Sequence, residues 1–216
     1  MQSEAPTENS PEDTAQPASR GTARAWHRSP AVAVAIAYFL ILGSFGAGFS
    51  FVSRGHLRSM GADVEETRND IRRRLEDGDR ARHLLEIGRK NLGAAVGLIL
   101  LGAATAGLWS AVNLVVIGLV NGALAGALSA GGVPDSFLLA YFATHGLVEA
   151  LAFALAGAVG LHSGALFLRY LRGGALLAPG DLRSLAWTAG LTFPALSVAL
   201  LLEVYATPAI SLRYLP

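Results

Sequence analysis

The stretch SFLLAYFATHGLVEALAFALAGAVGLHSGALFLRYL, Ser136 to Leu171, decides the fold of this chain. It is apolar over the length of a membrane-crossing helix, yet it contains a histidine and a glutamate, His145 and Glu149. Ionisable side chains at bilayer depth are costly, so both should face a protein interior or a wet cavity rather than lipid. Four positions apart on a helix, they share one face. The other helices are expected to supply the neighbours of that face.

The composition is that of a membrane protein. Of 216 residues, 52% are hydrophobic, 15% are charged and 25 are glycine, which is too apolar and glycine-rich for an ordinary soluble domain. The formal net charge of +1, without a basic stripe interleaved with aromatics, argues against a nucleic-acid partner. The chain has no cysteine, which excludes disulfides, thiolate metal sites and cysteine nucleophiles. The lipid bilayer is the expected environment.

Five apolar segments are predicted to cross the bilayer, since a crossing needs about 20 apolar residues. They lie at about 31–52, 91–107, 111–130, 137–171 and 185–206, and a break or kink is expected in the fourth near His145. A turn at Leu108–Ser110 is predicted between the second and the third, because Trp favours the membrane interface and Gly107 can end a helix, while one helix of about forty residues is too long for a ~30 Å bilayer. Residues 29–216 are thus expected to form one membrane domain, an all-α polytopic transmembrane helix bundle.

Two polar segments flank the first span. Residues 1–28 are rich in Pro, Ser, Thr and Glu and are expected to be a disordered tail. Residues 54–90 hold ten of the 17 basic residues alongside eight acidic ones, with apolar residues at helical spacing. This amphipathic loop is predicted to be helical in part and to lie on the membrane surface or on the ends of the spans. It is either a passive surface element or a docking platform for a partner.

The order of the spans determines which of their ends share a side of the membrane. The second span starts, the third ends, the fourth starts and the fifth ends on the side of the 54–90 loop. That side carries eleven Lys and Arg residues, including Arg213, against six on the other side. The positive-inside rule therefore predicts a cytoplasmic loop in a multi-pass protein of the cell membrane.

The same threading predicts a polar cluster inside the bundle. Asn121, His145 and Glu149 should lie roughly 12 to 18 Å in from the loop side, with Asn91 and Glu203 near its surface. Glu149 is most easily tolerated there if it is protonated or bonded to His145, Asn121 or a water. The cluster is either a set of interhelical hydrogen bonds that fixes packing or a proton or substrate pathway. No metal or other cofactor is expected, because two ligands are too few for a protein metal site.

Two sets of glycines mark close helix contacts. The third span contains a consecutive GxxxG ladder, and the fourth has a second small face; the two sets are Gly118, Gly122 and Gly126, and Gly157, Gly160 and Gly164. Small residues let two helix backbones approach each other, so both sets are predicted to be packing surfaces.

No catalytic constellation is found in the sequence. Ser163 follows His162 in GLHSG, but helical neighbours point in different directions, and a nucleophile needs a base across from it. The chain is therefore predicted not to be an enzyme, and no catalytic residue is assigned.

Four motifs, in order and spacing, resemble the stage II sporulation protein M family of integral membrane proteins. They are NGALAG at Asn121–Gly126, THGLVE at Thr144–Glu149, the GAVGLHSG that follows, and LLEVYATP at Leu201–Pro208. The likeness runs from about Asn91 to Pro208. It departs from the family at Thr144, where a proline is usual, and around the single Asn91, where paired asparagines are usual.

The resemblance implies a multi-span helical protein that, in spore-forming bacteria, helps to assemble and localise the cell-wall-degrading machinery of engulfment without being the hydrolase. Similar proteins occur in bacteria and archaea that never sporulate. The family's characteristic polar residues would here be Asn121, His145, Glu149 and Glu203, with no catalytic role.

These observations together predict a non-catalytic organiser that recruits protein partners or further copies of itself to a membrane-associated complex. The alternative is a permease or a permease-like transporter subunit with an intramembrane His/Glu polar site.

Overall fold

A computed structural model of the chain describes residues 29–53, 69, 72–73 and 79–214. Five long helices lie within these residues: α1 Pro30–Ser53, α2 Arg80–Ala104, α3 Leu108–Ala130, α4 Asp135–Leu171 and α5 Pro179–Leu201. A π-helical segment Leu202–Ala206, a short helix α6 Thr207–Ser211 and a 3-10 turn Leu212–Tyr214 continue α5. No strand occurs in this part of the chain, so the predicted all-α bundle is confirmed. The predicted tail at 1–28 and most of the loop at 54–90 lie outside the described residues.

Within the described residues, four helical stretches are long and apolar enough to cross a membrane: α1, α3, α4 and the continuous helix Gly180–Ser211. The chain is therefore a membrane protein. Helix α2, whose first half carries four basic residues and Glu86, is not among the four. Residues 91–104 of the second predicted span, 91–107, form the apolar half of α2, which is joined to the charged half without interruption. A membrane crossing by this half stays a prediction.

Helix α4 is the centre of the bundle. It contacts α1, α2, α3 and α5, and 61% of its most apolar stretch is buried, against 17–33% in the other three membrane-capable stretches. The core around it consists largely of alanines, with Leu98, Leu114 and Phe153 between them. Small side chains at these positions let the helices approach closely, which is how membrane helices gain packing energy without a hydrophobic driving force.

Helix α4 runs without interruption through His145 and Gly146. The predicted break does not occur there, and a bend at this position stays a prediction. With 37 residues, α4 is roughly 55 Å long at 1.5 Å per residue. This exceeds the ~30 Å hydrocarbon core, so α4 must tilt or extend beyond it.

The turn between α2 and α3 lies earlier than predicted. Leu108–Ser110, predicted to be the turn, are the first residues of α3, and the turn occupies Thr105–Gly107. Ala106 and Gly107 have positive φ angles of 51° and 88°, and glycine adopts this conformation without a Cβ clash. The Thr105 hydroxyl accepts a hydrogen bond from the Trp109 N–H at 3.0 Å, which gives a partner to one of the N–H groups that the first turn of α3 leaves unpaired. The turn therefore lies at the threonine and the glycine, before the tryptophan.

The GxxxG ladder of α3 lies against α1. A Cβ atom added at each of the three glycines would meet backbone atoms of α1; these belong to Ile41, Phe45 and Phe49 for Gly118, Gly122 and Gly126 respectively. From the other side, Gly48 of α1 approaches the backbone of Leu119. The two helices thus touch backbone to backbone, and they form the most extensive helix pair of the described residues.

The second small face, on α4, lies where α2 passes into α3. A Cβ added at each glycine of this α4 face would meet atoms of α2, of α3 or of the turn between them. The contacts are Leu114 for Gly157, Ser110 and Leu98 for Gly160, and Ala106 for Gly164. The fully buried Ser110 hydroxyl donates to the Leu98 carbonyl at 2.8 Å. This hydrogen bond ties α3 to α2 at the point where α4 crosses both.

Candidate functional site

The two ionisable residues of α4 pair with other helices rather than with each other. The Asn91 side-chain amide donates a hydrogen bond to Glu149 Oε1 at 2.7 Å, which links α2 to α4. His145 Nδ1 lies 3.0 Å from Thr207 Oγ1, which links α4 to α6. The predicted hydrogen bonds from Glu149 to His145 or Asn121 are replaced by the bond from Asn91. Two hydrogen bonds therefore join three segments of the chain at one level of the bundle.

Aromatic rings hold the His145 side chain in place. The histidine is 6% exposed, and the Tyr141 ring meets it edge to face with 5.5 Å between the ring centroids. Tyr141 in turn stacks on Phe137 at 5.9 Å and meets Phe142 edge to face at 5.2 Å. Phe137, Tyr141 and His145 are spaced four residues apart and so form a continuous row on one face of α4.

The segment that brings Thr207 to His145 is a π-helix. The Thr207 N–H bonds to the Leu202 carbonyl, five residues earlier, and the following Pro208 has no N–H with which to continue the ordinary helical pattern. A single π-turn shifts the helical register by one residue and is frequent at functional sites. Here it places Glu203 and Thr207 toward the same level of α4.

A cavity of about 740 Å³ lies beside these residues. Its walls come from α1, α3, α4 and the π-helical segment. Most of the lining is aliphatic or aromatic, and the hydrogen-bonding and ionisable side chains are Asn121, Asp135, Ser136, Tyr141, His145, Glu149 and Glu203. Neither lysine nor arginine occurs among the described residues that line it. The cavity is thus apolar over most of its wall, and three of its seven polar side chains are carboxylic acids.

The sequence-predicted cluster is therefore gathered around one cavity. Asn121, His145, Glu149 and Glu203 line it, and Asn91 reaches it through its hydrogen bond to Glu149. The exposed Asn121 side chain donates to the Ile117 carbonyl of its own helix at 2.9 Å and so does not join the interhelical bonds.

Sequence reasoning missed Thr207. It is fully buried and follows Glu203 by four positions within LLEVYATP. The available signal was a hydroxyl group one helical turn after the Glu203 carboxyl group, on the same face.

The opposite end of α4 carries a separate polar group. Arg169 pairs with Asp181 across the turn between α4 and α5, and its Nε donates to the Ala175 carbonyl at 2.8 Å. Asp181 also accepts from the Ala178 N–H at 2.6 Å. These bonds close the turn that orients α5 against α4. The nearby Ser163 hydroxyl donates to the Val159 carbonyl of its own helix at 2.8 Å.

Comparison with known proteins identifies the family. The family model described as Stage II sporulation protein M matches residues 32–208, so the match includes the first span and the polar loop as well as the stretch from Asn91 that carried the resemblance. No curated protein and no solved structure matches the chain. Because the matched residues make up far more than half of the 216, the chain belongs to the stage II sporulation protein M family.

Proposed function

We propose that this chain is a non-catalytic, multi-pass protein of the cell membrane that organises a membrane-associated complex. It recruits a partner protein through the charged beginning of α2, residues Arg80–Lys90, which we name the arm. The observation that carries the proposal is that the arm and the apolar half of α2 are one continuous helix. A partner bound to the arm is thereby held in a defined position relative to the bundle.

The arm begins at a capped helix end, where the Asp79 side chain accepts from the Arg82 N–H at 3.1 Å. Two contacts then fix the arm to the rest of the protein. The Arg80 guanidinium lies over the Tyr205 ring, 5.3 Å from its centroid, a cation–π contact. Near the base of the arm, a Cβ added at Gly88 would lie 3.1 Å from a side-chain carbon of Leu200. The arm therefore packs along α5 and the segment that follows it.

The outer face of the arm has the character of a protein-binding surface. Its sequence contains four basic residues and one acidic residue, and the exposed side chains include Arg82, Arg89 and Leu85, the last 71% exposed. An apolar anchor surrounded by charges suits a partner with an apolar pocket and an acidic rim, because opposite charges steer association and fix its register.

The polar site supports a structural role for the bundle. The Asn91–Glu149 and His145–Thr207 pairs each join two helices, which is the usual work of polar side chains between membrane helices. Asn91 also follows directly on the last residue of the arm, Lys90. The same hydrogen bond that holds α2 against α4 thus holds the base of the arm.

Affinity capture from native membranes tests the proposal. A double variant, Arg82→Glu with Arg89→Glu, reverses charge on one face of the arm, and Arg172→Glu, exposed on the α4–α5 turn, is the matched control. We expect the wild type and Arg172→Glu to recover the same partner and the double variant to lose it. Equal recovery by all three proteins, or no specific partner with the wild type, would contradict the proposal.

A second candidate function is that of a permease or a permease-like subunit, and the cavity beside His145 and Glu149 favours it. Vesicles containing the purified protein separate the two functions. A proton relay through Glu149 predicts a pH-dependent solute flux that Glu149→Gln abolishes, because an amide cannot exchange a proton as a carboxyl group does. The organiser predicts no flux that depends on the protein.

A further inference from the structure

We propose that the cavity between α1, α3 and α4 binds a cationic amphiphile, with its ammonium head group at Glu149 and its hydrocarbon chain along the apolar wall. This binding site does not depend on recruitment through the arm. Its basis is the combination of cavity size, lateral opening and charge.

The size and the walls of the cavity suit a small lipid-like molecule. Its volume of about 740 Å³ lies within the ~300 to 1,000 Å³ typical of small-molecule sites. Large apolar side chains from two helices form most of the wall, among them Phe45 and Phe49 of α1 and Phe142 and Phe153 of α4. A hydrocarbon chain against these side chains is shielded from polar groups.

Exposed leucines on membrane-capable helices line one part of the cavity. Leu42, Leu139 and Leu147 line it and are also 37%, 70% and 50% exposed, and all three lie on helices able to cross a membrane. A ligand that enters between these leucines comes from the bilayer and must itself be soluble in it. This favours an amphiphile over a water-soluble ion.

The charge of the lining selects a cation. Asp135, Glu149 and Glu203 contribute three carboxyl groups, and no described lining residue is lysine or arginine. Glu149 accepts one hydrogen bond, from Asn91, whereas a carboxylate offers about four lone-pair positions. An ammonium group there would compensate an intramembrane charge that is otherwise costly.

An organic cation fits the site better than a metal ion. Among the described residues, no group of three or more His, Asp or Glu side chains is arranged to hold a metal. His145 Nδ1 already lies within hydrogen-bonding distance of the Thr207 hydroxyl. A primary ammonium needs only acceptors around it and room for its chain.

Photolabelling of the purified full-length protein in phosphatidylcholine nanodiscs tests the proposal. The probe is dodecylamine with a diazirine at the end of its chain, and the matched neutral probe is dodecanol with the same diazirine. We expect saturable labelling by the amine on the wall of the cavity, competed by unlabelled dodecylamine, and much weaker labelling by the alcohol.

Two variants and their controls locate the binding. Glu149→Gln should weaken amine labelling about tenfold, the order expected for one charge-assisted hydrogen bond, while Glu86→Gln, an exposed carboxylate on the arm, should leave it unchanged. Gly146→Leu should abolish labelling. Gly146 lines the cavity and a Cβ added there has no atom within 4 Å, so the leucine side chain would occupy the space of the probe. Gly43→Leu, equally open but not in the lining, is its control.

Either of two results would overturn the proposal. Equal labelling of the wild type by the amine and the alcohol would show a hydrocarbon site without preference for a cation. Unchanged amine labelling in Gly146→Leu would place the probe outside the cavity, even if Glu149→Gln failed to fold.

Discussion

Asn91 and Glu149, 58 positions apart in the chain, are joined by a 2.7 Å hydrogen bond from the side-chain amide to the carboxyl oxygen Oε1. The bond connects the helix that begins with the arm to the central helix of the bundle. Because Glu149 also lines the cavity, one side chain belongs both to the contacts that hold the helices together and to the candidate binding site.

Removing the acceptor should destabilise the protein more than neutralising it. Glu149→Ala leaves the Asn91 amide without its partner, at a cost of about 1–2 kcal/mol. Glu149→Gln retains an oxygen at nearly the same place and should unfold close to the wild-type temperature. Thermal unfolding in detergent compares the two variants, and Glu86→Ala serves as the exposed control. Equal destabilisation by Gln and Ala would show that the hydrogen bond is not what Glu149 contributes.

The stability of the protein should depend more on the hydroxyl group of Thr207 than on the shape of its side chain. Thr207→Val keeps the branched side chain but leaves His145 Nδ1 without its partner at 3.0 Å, and a buried unpaired group costs about 1–3 kcal/mol. Thr207→Ser keeps the hydroxyl and should lose much less stability. The same unfolding measurement applies, and a valine variant as stable as the serine variant would contradict the pairing.

Much of this architecture was predictable from the sequence because long apolar segments are readable by length alone. His145 and Glu149 were predictable as site residues because charge inside an apolar helix requires a neighbour. The neighbours themselves were harder to identify. Glu149 bonds Asn91 rather than a residue at its own predicted depth, and Thr207 reaches His145 through a π-turn that changes the helical register. Regular helical spacing does not predict such a shift.

The turn before α3 shows a second limit of the same kind. Gly107 was recognisable as a residue able to end a helix, but the tryptophan beside it suggested a turn at Leu108–Ser110. The turn comes earlier, at the positive-φ residues Ala106 and Gly107, where the Thr105 hydroxyl accepts a hydrogen bond from the Trp109 N–H. The lengths of the apolar segments do not resolve a difference of a few residues in a helix boundary.

Replacing a glycine in the backbone contact between α1 and α3 by a larger residue should disrupt the bundle. In Gly122→Leu the added atoms would meet the backbone of Phe45, and overpacking of this kind typically costs about 1–3 kcal/mol or more. Gly43→Leu lies on α1 where a Cβ meets nothing within 4 Å, so it controls for the loss of glycine. We expect lower yield and a lower unfolding temperature for Gly122→Leu alone. Equal behaviour of the two variants would argue that the ladder does not hold these helices together.

The sidedness of the arm can be measured because the chain has no native cysteine. The positive-inside rule predicts that the arm lies in the cytoplasm and the α4–α5 turn outside. Single cysteines are introduced at the exposed positions Ala81 and Ala175. In intact cells, an impermeant thiol reagent should label the cysteine at 175 on the α4–α5 turn and should not label the cysteine at 81 on the arm. The reverse labelling pattern would invert the orientation.

The central claim, that the arm recruits a partner protein, is tested most directly by crosslinking in living cells. A photoreactive benzoylphenylalanine replaces Leu85, which is 71% exposed on the arm, and in a second strain Leu176, which is 46% exposed on the α4–α5 turn. We predict that irradiation converts the Leu85 variant into a discrete adduct with another protein, identified by mass spectrometry, and that the Leu176 variant does not form it. Monomer alone at both positions, or the same adduct from both, would contradict recruitment through the arm.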